Sequence, residues 1–209
     1  MKEILIRNKW LLERLNGFLK DFEEADVSLL PIRHRHEEGE DREVALSEEY
    51  MHRMMEEKQG PPAAIEACDL VAWDRDPDDV MPEKWREITE DIANNFTREL
   101  GAQQNALAAY YPPGGYIGWH DNHDVPGYTV LFNWSETGNS FYRFRDKDTG
   151  EIITINDRPG WTCKTGYYGP EEESTMHCAS TEEPRWSIAF YLRSEELRDA
   201  LLEEIENEY

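Results

Sequence analysis

Beyond residue 104 the spacing of apolar residues changes, and that change limits the folds open to this chain. Asn105–Tyr111, Tyr116–His120, Tyr128–Trp134, Ser140–Arg145, Glu151–Asn156, Trp161–Lys164, Ser174–Cys178 and Arg185–Arg193 read as strands by composition and by their period of two. Turn-rich pieces separate them, such as Pro112-Pro113-Gly114-Gly115, Glu136-Thr137-Gly138-Asn139 and Asp157-Arg158-Pro159-Gly160. Short strands at hairpin spacing predict a double-sheet roll or barrel.

The first half has a helical period. Leu11, Leu12, Leu15, Phe18, Leu19 and Phe22 recur at steps of three and four and make one apolar stripe. Residues 31–46 are polar and are expected to form an exposed loop. Ser47 is placed to cap a second helix that runs to about Lys58, before Gly60-Pro61-Pro62. A third helix begins with Pro82 in its first turn, buries Trp85, Ile88, Ile92, Phe96 and Leu100, and ends at Gly101. A last helix has Ser194 as N-cap and Leu197, Leu201 and Ile205 facing inward. With no internal repeat and no flexible linker, a single domain is expected over 1–209. Residues 1–104 are mainly helical support, 105–193 the β core and 194–209 a C-terminal helix. The helices are expected on one outer sheet face of an α+β arrangement.

Charge narrows the partners. Lys and Arg total 22 against 45 Asp and Glu, a formal net charge of −23. Such a chain repels phosphate backbones, which argues against duplex nucleic acid as a partner. Acidic runs such as Glu171-Glu172-Glu173 and Glu203-Glu204 read as solvated surface. The cysteines, Cys68, Cys163 and Cys178, have neither metal-knuckle nor redox spacing and fit a reducing compartment. No apolar run approaches ~18 residues, and Met1–Ile6 is too short for a secretory signal. The expectation is a soluble, cytoplasmic protein without membrane contact.

The chemistry-bearing residues cluster late. His120 and His177 lie 57 residues apart, and Arg185-Trp186-Ser187 follows the second. Two imidazoles from separate strands suit a mononuclear ferrous site with open positions. Arg185, Ser187, Ala189 and Tyr191 share one face of the last strand, while Trp186, Ile188, Phe190 and Leu192 share the other. The second face is a core stripe; the first is small and polar, like a cavity lining. An Arg facing inward needs an anion. That anion is either a bound dicarboxylate, held in bidentate fashion with Ser187 adding a hydroxyl, or an acidic side chain of the protein at a strand end. His34, His36, His52 and His123 read as ordinary surface or core histidines.

From Asn105 to Arg193 the chain resembles the 2-oxoglutarate- and ferrous-iron-dependent oxygenase superfamily. The matching order is Tyr111-Pro112-Pro113-Gly114, His120, His177, then Arg185-Trp186-Ser187. The lead-in before His120 is similar to prolyl-hydroxylase-like members and to the nucleic-acid demethylase branch. The chain also resembles small oxygenases of bacterial viruses, which would allow a virus-encoded origin. The resemblance implies a double-stranded β-helix, or jelly roll. It implies Fe(II) held by His120 and His177, and 2-oxoglutarate as co-substrate with Arg185, Ser187 and Tyr111 at its distal carboxylate. It also implies O2 as oxidant, and succinate and CO2 as co-products of C–H hydroxylation. The chain departs from the family at the third iron ligand, where Asn122 stands in place of a carboxylate. A neutral amide compensates less of the metal's charge. Three options follow: Asn122 ligates through its side-chain oxygen, Asp124 reaches the metal, or a non-protein ligand such as water or halide completes the site; the first is favoured, with His120, Asn122 and His177 as the metal set and Asp121 or Asp124 supplying negative charge nearby. Asp121 should point away from His120.

The favoured substrate is a protein side chain, a peptide or a small metabolite. Trp119, Trp134, Tyr142, Phe144, Trp161, Tyr167 and Tyr168 are candidates to line an entrance, or else they pack the sheets. Arg143, Arg145 and Lys147 are expected beside the mouth, and the Arg33–His36 loop is a candidate lid. Two other classes remain open on sequence. One is a non-catalytic jelly-roll binding module, suggested by Asn122. The other is an acidic interaction protein that mimics nucleic-acid charge, suggested by the net charge.

Overall fold

The computed structural model describes residues 1–36, 41–58, 62–71, 81–122, 126–170 and 175–208. Among these, eleven strands pair, all antiparallel: β1 (Lys2–Ile4), β2 (Arg33–Arg35), β3 (Ile65–Asp69), β4 (Gln104–Tyr111), β5 (Tyr116–His120), β6 (Gly127–Ser135), β7 (Ser140–Arg145), β8 (Ile152–Asn156), β9 (Gly160–Tyr168), β10 (His177–Thr181) and β11 (Arg185–Leu192). The helices are α1 (Lys9–Glu24), α2 (Arg42–Ala45), α3 (Glu48–Glu56), α4 (Glu83–Glu90), α5 (Thr97–Glu99) and α6 (Glu195–Glu206).

The strand order β1-β9-β6-β11-β4-β3-β5-β10-β7-β8 folds back on itself as a barrel-like sandwich, with β2 attached to β3. β3 is the hinge strand. Its Cys68 and Asp69 pair with Tyr110 and Ala109 of β4, while Ile65 and Glu66 pair with Ile117 and Tyr116 of β5. One layer is therefore β1, β9, β6, β11 and β4; the other is β5, β10, β7 and β8.

Alternation of side chains sends one face of each layer inward and the other outward. The outward face of the first layer carries Val130, Phe132, Trp186, Ile188 and Phe190, which pack under Leu15, Phe18 and Phe22 of α1, Trp85 and Ile88 of α4, and Leu201 and Ile205 of α6. Phe22 stacks on Trp186 at 4.0 Å between ring centroids, and Phe96 meets Phe190 edge-on at 5.2 Å. The outward face of the second layer is covered separately. Ala45, Tyr50, Met51 and Met54 of α2 and α3 pack on Tyr116, Trp119, Met176 and Cys178. Helices thus shield both outer faces, and the expectation of a single covered face is corrected.

Helix ends follow the capping residues. Asn8 accepts from Leu11 N–H, Ser47 from Tyr50 N–H and Ser194 from Leu197 N–H, each satisfying an amide of the first turn. Pro82 sits one place before α4 rather than within it. Between α4 and α5 the chain widens into a π turn over Asp91–Phe96, where the Thr97 hydroxyl donates to the Ile92 carbonyl at 3.0 Å. Gly101 ends that stretch with φ of 63°, a conformation glycine adopts without strain.

The structure corrects several boundaries. Residues 31–46 include β2 and α2, and three strands lie in the half expected to be mainly helical. β9 runs on to Tyr168, and β10 begins at His177 and reaches Thr181. Leu197, expected to face inward, is 49% exposed. Burial on α6 comes from its later turns, through Leu201, Leu202 and Ile205. No described helix is long and apolar enough to cross a membrane.

Candidate metal and anion site

The inward faces of the two layers enclose a cavity of about 310 Å³. His120, Asn122 and His177 line it, and so do Tyr111, Arg185 and Ser187. The sequence-predicted residues are therefore brought to one space, although they come from four strands and a strand end.

His120 closes β5 and His177 opens β10, and the two are direct Cα partners in the ladder. Their ring centroids stand 4.1 Å apart. Each ring is held by its own strand: His120 Nδ1 donates to the Gly118 carbonyl and His177 Nδ1 to the Thr175 carbonyl, both at 2.8 Å. A neutral imidazole protonated at Nδ1 leaves Nε2 bare, the form that binds metals. Burial supplies that neutrality. It pushes His120 down to about 4, against the opposing pull of the Gly118 carbonyl and Asp121. Burial also holds His177 well below the usual histidine range, reinforced by its neighbour His120. Asn122 closes the third side, its amide nitrogen donating to His177 Nε2 at 3.4 Å.

Two buried neutral imidazoles, each fixed at Nδ1, suit a divalent metal. A carboxylate does not join them: among the described residues, no group of three or more His, Cys, Asp or Glu side chains could hold a metal. The donor set is thus two imidazoles with Asn122 beside them. A half-turn of the Asn122 amide about its own bond exchanges nitrogen for oxygen and turns that donor into a ligand. Asp124 and His123 lie outside the described residues. Asp121 is buried.

The second centre is built around Arg185, which is 1% exposed. Its Nε donates to Asp157 Oδ2 at 2.8 Å, its terminal nitrogens to Ser187 Oγ and Asn133 Oδ1, both at 2.6 Å. Ser187 in turn donates to Asn133 Oδ1 at 2.9 Å. The guanidinium carbon lies 5.3 Å from the centre of the Tyr111 ring. Of the two readings for Arg185, the protein acid is realised in Asp157, yet the guanidinium still lines the cavity beside Ser187. Asp157 also receives the Ser140 hydroxyl at 2.7 Å and the Lys164 ammonium. Burial alone would raise its carboxyl; Arg185 and Lys164 outweigh that and hold it far below the usual carboxylate range.

Sequence reasoning missed Asp157, Lys164 and Asn133. Asp157 lies in a turn-rich tetrapeptide, Asp157-Arg158-Pro159-Gly160, whose composition signals only a turn. Lys164 and Asn133 were open to the parity test applied to Arg185. Lys164 pairs with Leu131 in the β9–β6 ladder, and Asn133 with Thr162. The available signal was a polar residue on the inward face of an apolar strand: Asn133 is two places from the cavity-lining Leu131, and Lys164 lies directly across from that leucine.

Other expectations are revised. Among the aromatics, Tyr142 and Tyr168 line the cavity and share a 2.6 Å hydrogen bond between their hydroxyls. Trp119 instead packs under α3, Trp134 and Trp161 pack against the core beneath α1, Phe144 is interior, and Tyr167 is 39% exposed. Arg143 and Arg145 alternate with the inward Tyr142 and Phe144, so they face outward rather than to the mouth. Arg143 bonds Thr154 and the Leu46 carbonyl. The Arg33–Arg35 segment is strand β2, tied to β3, and not a free lid.

No family model matches the chain, and no curated protein matches it. Among solved structures it is similar to a prolyl-4-hydroxylase of Pseudomonas putida, with 15% identity over 70% of this chain and 83% of that one and a TM-score of 0.35. The ribosomal oxygenase YcfD of Escherichia coli has 20% identity over 68% and 34% of the two chains, with a TM-score of 0.32. Drosophila melanogaster CENP-C, solved bound to CAL1, has 8% identity over 40% and 57%, with a TM-score of 0.29. The chain spans less than two thirds of YcfD and of CENP-C. With TM-scores this low, any assignment rests on the side chains of the cavity.

Proposed function

We propose that this chain is a 2-oxoglutarate- and Fe(II)-dependent oxygenase on a double-stranded β-helix, hydroxylating a protein side chain, a peptide or a small metabolite. One observation carries the reading: a directly paired His120 and His177 share a cavity with the buried guanidinium of Arg185. His120 and His177 would hold iron, with Asn122 or a non-protein ligand at the third position. Bound iron supplies dioxygen activation coupled to oxidation of the 2-oxo acid. The protein's part is placement. Arg185 and Ser187 would orient the distal carboxylate, Tyr111 flanks the guanidinium, and the surrounding apolar side chains exclude water. A cavity of about 310 Å³ is at the lower end of ligand-site sizes and suits a short diacid with a small reacting group.

The test is anaerobic reconstitution with Fe(II) and 2-oxoglutarate. A metal-to-ligand charge-transfer band is expected, then succinate on admitting oxygen. Absence of both the band and any succinate refutes the reading. A second reading, a binding module on the same fold, is favoured by Asn122 in place of a carboxylate and by the Asp157 pairing of Arg185. It predicts the band without succinate, whatever candidate substrate is added.

A further inference from the structure

Behind Arg185, away from the cavity, lies a charge arrangement with a chemical consequence. Lys164 and Asp157 have side chains 0% exposed, and Arg185 1%. Two cations share one carboxylate: Asp157 Oδ1 takes the Lys164 ammonium and Oδ2 takes Arg185 Nε. Taken by itself the buried trio sums to one positive charge, and Asp69 is the carboxylate that lines the cavity on the same side. Hydrogen-bond donors are in surplus as well. Arg185 commits three of its five N–H groups within the described residues, and Asn133, 0% exposed, has no partner for its amide nitrogen there. A buried positive excess with spare donors is costly unless an anion completes it. Arg185 and Ser187 are the members of this network that line the cavity, so the completing anion arrives from that side.

Resting on the oxygenase reading of this cavity, we propose that Asp157 and Lys164 are positioning residues that set the Arg185 site at one net positive unit. The site thereby selects a ligand ending in a carboxylate monoanion over one ending in a phosphonate or phosphate dianion. The reason is matching. A monoanion neutralises the trio, whereas a dianion leaves an unpaired negative charge in a low-dielectric interior. Removing Lys164 leaves Asp157 to neutralise Arg185 by itself, so no charge remains for the ligand. Removing the Asp157 charge leaves two positive units, which suits a dianion. Removing both returns the net charge to its original value with neither residue present.

The test is calorimetric titration of the full chain with glutarate and with 4-phosphonobutyrate, at a pH where the phosphonate is doubly ionised. Thermal melting of each variant serves as a folding control. Wild type is expected to prefer glutarate at least tenfold. Lys164→Met should lose at least fivefold in glutarate affinity, and Asp157→Asn should narrow or reverse the preference. The double variant should regain the wild-type preference, a recovery that a purely structural role does not produce. If Asp157→Asn fails to fold, wild type, Lys164→Met and the double variant still decide the matter. Loss of glutarate binding in Arg185→Met, together with one unchanged glutarate affinity in wild type, Lys164→Met and the double variant, overturns this proposal and leaves the oxygenase reading standing. Failure of wild type to bind either diacid overturns both.

Discussion

His120 and His177 are Cα partners across the β5–β10 ladder, with ring centroids 4.1 Å apart and both Nδ1 atoms bonded to backbone carbonyls. Residues 57 apart in sequence are thus brought side by side as one pair. Removing either ring should remove the site. His177→Ala is expected to abolish stoichiometric Co(II) or Mn(II) binding in calorimetry while the far-ultraviolet circular dichroism stays that of wild type. Unchanged metal stoichiometry would rule out the assignment.

Asn122 stands within 3.4 Å of the His177 ring nitrogen. Asn122→Asp supplies the carboxylate that the described residues lack there, and should tighten divalent-metal binding by about tenfold or more. Weaker or equal binding would mean that residue 122 does not reach the metal.

Arg185→Met deletes the cavity's buried guanidinium and leaves Asp157 paired with Lys164. Loss of a charged hydrogen-bonding partner for a carboxylate costs about 1.5–3 kcal/mol, or roughly ten- to hundredfold in affinity for 2-oxoglutarate. Metal stoichiometry should not change. Parallel titrations with metal and co-substrate separate the two effects, and loss of both together would contradict separate sites.

The buried imidazoles make the metal-free protein sensitive to acid. Folded His120 is pushed from 6.5 down to about 4, and His177 well below its usual range, both by burial first. Between about 6.5 and about 4 the unfolded chain binds protons that the folded chain refuses, so stability falls as pH falls through this window. The slope is at most about 1.4 kcal/mol per pH unit for each histidine. Urea unfolding at several pH values should show a shallower slope in His120→Gln than in wild type. Identical slopes would exclude the histidine pair as the origin.

Stability outside the cavity should reside in the α1–β11 contact. Trp186 is 5% exposed and stacks on Phe22, whereas Trp10, on the same helix as Phe22, is 47% exposed. Trp186→Ala should cost about 3–5 kcal/mol, and Trp10→Ala within about 0.5 kcal/mol. Chemical denaturation of the two variants measures both.

Strong periodicity made much of this architecture readable in advance. Trp85, Ile88, Ile92 and Phe96 follow one helical stripe, and Trp186, Ile188 and Phe190 one strand face, because each buries a continuous apolar row. Strand β3 escaped notice because Ile65-Glu66-Ala67-Cys68-Asp69 has no alternating pattern; its place is fixed by ladders to β4 and β5, not by its own residues. The same holds for the site. The histidines and Arg185 announced themselves through residue type and order. Asp157 did not, since a carboxylate in a turn is ordinary until the fold delivers two cations to it.

The tether from each imidazole to a carbonyl two residues earlier has a broader consequence. The orientation of each ring is set within its own tripeptide, Gly118-Trp119-His120 or Thr175-Met176-His177, while the β5–β10 ladder sets the two side by side. Sequence changes outside these two segments can therefore accumulate without disturbing the orientation of either ring, which leaves the rest of the cavity lining free to vary around a fixed pair.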